Sequence, residues 1–174
     1  MKASHLHKIQ FVTTEISLGV LLIAMTKEGI CSITFADDEK TATDELAERF
    51  PNASFEELAA NDFPSLSTII SEIENNGDFN DVTFDLHGSE FRHRVWDALK
   101  QIPAGETRTY SEIAEMIGQP TATRAVASAC ASNPIAVVIP CHRVIRNDGG
   151  LGGYRWELSR KEELLKRELA RSQS

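Results

Sequence analysis

The chain opens with three short apolar runs whose period is two. Ile9, Phe11 and Thr13 alternate with polar neighbours, Gly19 leads into Val20-Leu21-Leu22-Ile23, and Lys27-Glu28-Gly29 reads as a tight turn into Ile30, Ile33 and Phe35. Residues 8–14, 19–26 and 29–36 are therefore predicted as an antiparallel meander. Asp37-Asp38-Glu39 ends it, Thr43 is a candidate cap for a short helix through Phe50, and Pro51 stops that helix. Residues 51–63 are acidic and loop-like. From Pro64 to Asn75 the period changes, with Leu66, Ile69, Ile70 and Ile73 at helical spacing and Asn76-Gly77 as the terminator. Val82, Phe84 and Leu86 alternate once more as a strand, and Gly88 closes this half.

The second half has helical periodicity. Ser89 is a candidate N-cap for a helix whose buried stripe is Phe91, Val95, Ala98, Leu99 and Ile102, broken by Pro103-Ala104-Gly105. Thr109 and Glu112 form a capping-box pattern opening a helix with Tyr110, Ile113, Ala114 and Ile117 on one face, ended by Gly118. Thr121 can cap the next helix, whose buried face is predicted as Ala122, Ala125, Val126 and Ala129. Two short helices joined by a glycine-containing turn make a helix-turn-helix candidate. On the outer face of the second helix Arg124 stands with Ala127, Ser128 and Ala131. Tiny side chains there let a backbone come close to a partner; a solvated Ala-rich helix with one stray charge has the same pattern.

Asn133-Pro134 ends that helix. Val137-Val138-Ile139 and Val144-Ile145 flank Pro140-Cys141-His142-Arg143, which predicts a buried, extended segment interrupted by a proline that cannot donate to a ladder. Residues 147–154 carry four glycines but no Gly-Lys-Ser/Thr step, so they are no Walker phosphate loop. Ser159 and Glu162 form another capping-box pattern. The last helix is predicted to place Leu158, Glu162, Leu165 and Leu169 near one face, with Glu168 in reach of it.

Composition adds class limits. With 174 residues, 41% hydrophobic and 25% charged, the chain reads as an ordinary soluble globular protein, and its strands followed by helices give the fold class α+β. It divides into an N-terminal α/β domain, 1–88, and a C-terminal domain, 89–174. No apolar stretch approaches a membrane span, and Met1-Lys2-Ala3-Ser4-His5 opens no signal peptide. Cys31, Cys130 and Cys141 are odd in number and show no Cys-x-x-Cys spacing, which argues against a disulfide framework or a zinc site and for a reducing cytosol. His5 and His7 read as a frayed terminus rather than a metal site. The net charge of -8 is unevenly spread: residues 1–87 carry a net -11 and residues 88–174 a net +3. The second half could meet a polyanion; two solvated faces would give the same count.

Cys141 is the candidate nucleophile. A reactive cysteine needs thiolate character, from a base held by a third group. Neighbouring side chains of an extended segment point to opposite sides, so pairing Cys141 with His142 requires a bend or a bridging water. Glu168 is the candidate to orient His142. A cysteine hydrolase and a chemically silent core cysteine are the competing readings.

The run Pro140-Cys141-His142-Arg143-Val144 resembles the acceptor-site signature of O6-alkylguanine-DNA alkyltransferases, the methylated-DNA–protein-cysteine methyltransferases. The pattern is closest to the C-terminal part of bacterial Ada proteins and their single-domain relatives. Asp85-Leu86-His87-Gly88, Phe91, Val95-Trp96, Ile102-Pro103, Gly105-Glu106-Thr107, Tyr110, Arg124-Ala125-Val126, Asn133-Pro134, Gly153-Tyr154-Arg155-Trp156 and Glu168 continue the likeness in order, over about half the chain. The resemblance implies a ribonuclease H-like N-terminal domain and a winged-helix-like C-terminal domain. It implies irreversible, single-use alkyl transfer from O6-alkylguanine, and from O4-alkylthymine, in double-stranded DNA to Cys141. His142, through water and backed by Glu168, would help form the thiolate. Tyr110 would press on the nucleotide backbone, Arg124 would fill the vacated stack, and Asn133 would link the recognition helix to the acceptor. Thr121, Ala125, Ser128 and Ala131 would meet DNA. The backbone of Val144 and the loop near Tyr154 and Arg155 would contact the flipped base in a pocket that Trp156 also lines, and the bulk of Arg155 and Trp156 predicts that benzyl groups react less well than methyl. No cofactor is implied, and a cytoplasmic monomer is expected. A phosphotriester-repair or transcriptional role of Ada is not carried over, since no Cys-rich zinc pattern is present. The non-catalytic alkyltransferase-like proteins, which mark damage without transfer, are the alternative; they lack the acceptor cysteine that stands here at 141.

Overall fold

The computed structural model describes residues 8–173; His5 and His7 lie outside them. The chain folds as α+β and divides into two compact units, 1–87 and 88–174.

In the first unit β1 (Lys8–Ile16), β2 (Gly19–Thr26) and β3 (Gly29–Ala36) form the antiparallel meander. The sheet is mixed rather than purely antiparallel, with order β3-β2-β1-β4. The fourth strand, β4 (Ser54–Glu57), pairs parallel to β1 within the stretch whose sequence reads as loop. All four of its residues are exposed, so it carries no apolar alternation to announce it. Ile9, Phe11, Val20, Leu22, Ala24 and Cys31 pack with Ala42 and Leu46 of α1 (Glu39–Arg49). Leu21, Ile23, Ile33 and Phe35, which alternate with that set, are buried too, so both faces of the sheet are covered.

In this unit both helix starts and the last predicted strand also differ from the sequence pattern. Asp38, not Thr43, caps α1: its carboxylate accepts from the Thr41 amide at 2.7 Å, while the Thr43 hydroxyl sits inside the helix and donates to the Glu39 carbonyl. Helix α2 (Leu66–Asn75) begins two residues after Pro64 and ends, as the pattern predicts, at Asn76 with φ +53. The 82–86 strand reduces to a parallel bridge between Ile30 and Phe84, with the Ile30 amide donating to Thr83 at 2.8 Å. Gly29 permits that approach, because a Cβ there would stand 2.7 Å from the Thr83 carbonyl oxygen.

In the second unit α3 (Glu90–Lys100) is capped by Ser89 and buries Val95, Trp96, Ala98 and Leu99. The Trp96 indole donates to the Ala129 carbonyl at 2.9 Å, tying α3 to α5 (Thr123–Ala131). Helix α4 (Tyr110–Met116) carries the complete capping box of Thr109 and Glu112. Gly118 at φ +75 turns the chain from α4 towards α5. A two-residue parallel pair joins β5 (Arg108–Thr109) to β6 (Val144–Ile145), and α6 (Leu158–Ser172) ends the unit. Among the described residues no helix is long and apolar enough to cross a membrane.

Candidate active site

The Cys141 segment is buried but not extended. The Ile139 amide reaches the Ile135 carbonyl at 3.2 Å, and Cys141–Arg143 forms a 3-10 turn with the Arg143 amide on the Pro140 carbonyl at 2.9 Å. Val137 at φ +69 is part of the same tight path. The apolar run that reads as a strand is instead a coil of turns: among the described residues only Val144–Ile145 pairs, with β5. This turn separates the two functional side chains, and Cys141 and His142 make no hydrogen bond to each other.

Cys141 Sγ accepts from Asn133 Nδ2 at 3.2 Å. The same amide nitrogen donates to the Ile139 carbonyl at 2.7 Å, and its oxygen accepts from the Ile135 amide at 2.9 Å. Asn133 thus fixes the thiol from the end of α5. His142 faces the other way, with Nε2 2.7 Å from Glu168 Oε1. Both are fully buried, at 0% and 1% exposure. Arg143 completes the cluster: Nε donates to Glu168 Oε2 at 3.0 Å, Nη2 to Oε1 at 2.8 Å, and Nη1 to the Ile102 carbonyl at 2.6 Å.

These contacts set the protonation states. Burial pushes the Cys141 thiol up to about 11, against the opposing pull of the Asn133 hydrogen bond and of the Lys161 and Arg155 charges. Burial holds the His142 imidazole below its ordinary range, outweighing Glu168. For Glu168 burial works upward, but the hydrogen bonds from His142 and Arg143 win and hold its carboxyl at about 2. A neutral His142 facing an ionised Glu168 must present Nε2–H to it, which leaves the lone pair on Nδ1. Nδ1 is buried and has no hydrogen-bond partner.

Cys141 opens on a cavity of about 330 Å³ lined by Tyr110, Ala127, Cys130, Ala131, Tyr154 and Arg155, among others. Arg124, Ala125, Ser128 and Ala131 lie on the exposed side of α5, and Thr121 is exposed before it. Ala125 is therefore not on the buried face predicted for it; Val126, Ala129 and Cys130 are. Nor does Thr121 cap α5, whose N-cap is Ala122 without a side-chain bond. The Ala122 amide is turned onto the Gln119 carbonyl, at 2.9 Å, so the helix starts after Thr121 rather than on it.

Two of the predicted pocket residues are not on the cavity wall. Val144 is fully buried, its amide donates to the Cys141 carbonyl, and its own carbonyl accepts from Lys161 Nζ at 2.7 Å. Trp156 is 2% exposed and sits behind the wall, under the Arg155 guanidinium at 5.2 Å and edge-on to Tyr154 at 5.4 Å. Arg155 is on the wall and is tethered, with Nη1 donating to the Asn133 carbonyl at 2.6 Å.

The sequence pattern does not single out Arg143, Lys161 or Cys130. It also turns α6 the wrong way. The buried side of that helix is Arg160, Lys161, Leu164 and Glu168, whereas Leu158 and Leu169 are 44% and 52% exposed. Nor does Ser159 cap it: the N-cap is Glu157 at φ +76 with no side-chain bond. Polar groups go inward because each finds partners there, and the one available signal was the i, i+1, i+4, i+8 spacing of these four residues. Among the described residues no group of three His, Cys, Asp or Glu side chains is placed to hold a metal ion.

Comparison with known proteins gives a consistent picture. Residues 90–170 match the family described as the DNA-binding domain of 6-O-methylguanine DNA methyltransferase. The bifunctional transcriptional activator/DNA repair enzyme Ada of Escherichia coli is 41% identical over 160 residues, 92% of this chain and 45% of Ada. The chain spans about half the length of the first curated relatives it matches. A protein of Acanthamoeba polyphaga mimivirus, named a probable methylated-DNA–protein-cysteine methyltransferase, is 37% identical over 91% of this chain and 94% of its own length. The crystal structure of Mycobacterium tuberculosis OGT in complex with DNA matches with a TM-score of 0.75 and 33% identity, over 93% of this chain and 94% of that one. A likeness that runs almost end to end through the viral and mycobacterial proteins extends beyond the Cys141 turn to both units, and the chain belongs to the methylated-DNA–protein-cysteine methyltransferase family.

Proposed function

We propose that this protein repairs duplex DNA by moving the alkyl group of O6-alkylguanine, and of O4-alkylthymine, onto Cys141, once per molecule. The observation that carries the reading is the position of the Cys141 thiol. It stands on the wall of a cavity bounded by the small residues of α5 and backed by the His142–Glu168–Arg143 cluster. O6 of guanine lies inside the duplex, so the base must be flipped to reach such a cavity. A small-residue helix face suits close groove entry. In this reading Arg124 fills the vacated stack and Tyr110 presses on the backbone. Thr121, Ala125, Ser128 and Ala131 lie along the DNA, and Tyr154 and Arg155 face the extruded base. The net +3 of residues 88–174 supports phosphate contacts.

With its thiol pushed up to about 11 by burial, Cys141 is protonated at neutral pH. The thiolate is therefore made during the reaction. His142 Nδ1 takes the proton through a water, and Glu168, kept ionised by Arg143, holds the ring in the tautomer that can do so. The sulfur attacks the alkyl carbon, the S–C bond forms as the C–O6 bond breaks, and the electron pair leaves with guanine, which receives the proton back. The thioether that results has no hydrolysable bond, so the protein is spent. A cytoplasmic setting accords with three free, buried thiols.

Intact-mass measurement and peptide mapping test this. After incubation with a duplex carrying one O6-methylguanine, the protein gains one methyl group, on Cys141, and stops at one equivalent. Tight binding without gain would instead make it a damage-marking protein, and repeated turnover on an ester or amide would make it a hydrolase.

A further inference from the structure

Among the described residues that line the cavity of about 330 Å³, Arg155 is the one whose side chain carries a charge. The other polar groups on that wall are the hydroxyls of Tyr110 and Tyr154 and the thiols of Cys130 and Cys141, and burial keeps all of them protonated at neutral pH. The Arg155 guanidinium is held in place from two sides. Its Nη1 donates to the Asn133 carbonyl at 2.6 Å, and its central carbon stands 5.2 Å from the centre of the buried Trp156 ring. Asn133 also donates to Cys141 Sγ at 3.2 Å, so one residue fixes both the cation and the thiol. A guanidinium presents several N–H donors in a planar fork, and the Asn133 carbonyl is met by Nη1 alone.

A flipped base offers its edges to such a wall. On the edge that carries O6, guanine has a second acceptor, N7, and this pair is the pattern that an arginine fork matches with two parallel hydrogen bonds. Alkylation leaves both acceptors in place. N7 is untouched, and the ether oxygen keeps a lone pair on the N7 side when the alkyl group is turned towards N1. Thymine set into the cavity with O4 where O6 would lie puts its C5-methyl group where guanine has N7. The guanidinium then faces a methyl group, and it loses an acceptor while still being shut off from water.

We infer that Arg155 is the specificity-determining residue of this cavity: its fork donates to N7 and O6 of the extruded base, so that O6-alkylguanine is taken in preference to O4-alkylthymine. The placement of the base against Cys141 rests on the alkyl-transfer reading. The same bonds strengthen during the transfer. As the C–O6 bond breaks, its electron pair passes to O6 and the ring, and donors already fixed on that edge hold the departing guanine more tightly than they hold the alkylated base.

The test changes the base before it changes the protein. Single-turnover methyl transfer is measured from duplexes of one sequence carrying O6-methylguanine, 7-deaza-O6-methylguanine or O4-methylthymine. The 7-deaza base has C–H in place of N7, so it loses the acceptor and keeps the shape and the reacting oxygen. The parent is expected to react roughly tenfold more slowly with the 7-deaza base and with O4-methylthymine than with O6-methylguanine. Arg155→Ala is expected to treat the two purines alike and to narrow the gap to thymine. Arg155→Lys keeps the charge without the fork and is expected to fall between. Equal rates of the parent on the two purines overturn the inference, and so does a 7-deaza effect that survives in full in folded Arg155→Ala. Should Arg155→Ala fail to fold, Arg155→Lys carries the same comparison. Equilibrium binding of the same duplexes to Cys141→Ala, with and without Arg155→Ala, keeps the two readings apart. An N7 dependence of binding that needs Arg155, in a parent that never accepts a methyl group, would defeat the alkyl-transfer reading and leave Arg155 as the reader of the base. Transfer with no N7 dependence would do the reverse.

Discussion

Asn133 spends its whole side-chain amide inside the protein, on the Ile139 carbonyl, the Ile135 amide and Cys141 Sγ. Asn133→Ala leaves the Ile135 amide unpaired in a fully buried place, while the Ile139 carbonyl keeps the Cys141 amide at 2.8 Å, so a loss of about 1–3 kcal/mol is expected in urea unfolding. The Cys141 thiol also loses a hydrogen bond that favours its ionised form, so its alkylation midpoint moves up. A variant as stable as the parent would show that the region relaxes around the gap. Arg155 gives a second residue-level prediction. It is pinned to the Asn133 carbonyl and stacked on a buried Trp156, so it cannot swing out of the cavity cheaply. Free O6-benzylguanine should inactivate the protein more slowly than methylated duplex, and Arg155→Ala should narrow the gap. Equal rates in the parent would sink this. At this scale the sequence was legible where a motif names the residue: Asn133 is placed on Cys141 and Glu168 on His142, as two pairs on either side of the turn. Lys161 and Arg143 were not legible, because nothing in a pattern distinguishes a buried, fully bonded cation from the exposed ones beside it.

Elements show a different division. The β1–β3 strands and the helices with an apolar stripe were read to within a few residues, since burial of their apolar side chains fixes their type. The failures share a cause, which is that something other than apolar burial decides the structure. The edge strand β4 is set by hydrogen bonding to β1 with its side chains in water. The Cys141 run is apolar and buried, yet it is shaped by turns. Helix α6 is rotated by its ion and carbonyl contacts. The glycine-rich loop is the element where a single atom matters most. Gly152 has φ +72, and a Cβ there would lie 3.0 Å from the Tyr110 hydroxyl oxygen. Gly152→Ala therefore combines backbone strain of about 1 kcal/mol with pressure on Tyr110. Methyl transfer should fall more than thermal stability does. A variant with normal transfer would show that the close approach of Gly152 to Tyr110 is not needed for the reaction.

The molecule as a whole combines an acidic half with a half of opposite sign, and its stability depends on buried ionisable groups whose pH response can be worked out. His142 titrates below its ordinary value of 6.5 in the folded state, because burial penalises the imidazolium. Glu168 titrates at about 2, against an ordinary 4.5. In both cases the unfolded chain binds protons that the folded chain refuses, so stability rises with pH across each interval and falls on acidification. The His142 contribution starts to fade once the pH drops below 6.5. The Glu168 contribution, on the order of 3 kcal/mol, is complete above about 4.5 and is lost between there and about 2. Loss of Glu168 also strands Arg143, which would be left 12% exposed with only the Ile102 carbonyl to hold it. Urea unfolding followed from neutral to acid pH should show this two-stage decline. Glu168→Gln should be less stable at neutral pH and should flatten the lower stage, since it has no carboxylate to protonate. The same variant should slow methyl transfer, because the amide no longer favours the tautomer that leaves Nδ1 free. A parent protein equally stable across the acid range would mean that the His142–Glu168–Arg143 cluster opens to water before it titrates, and the proton path proposed through it would fail with it.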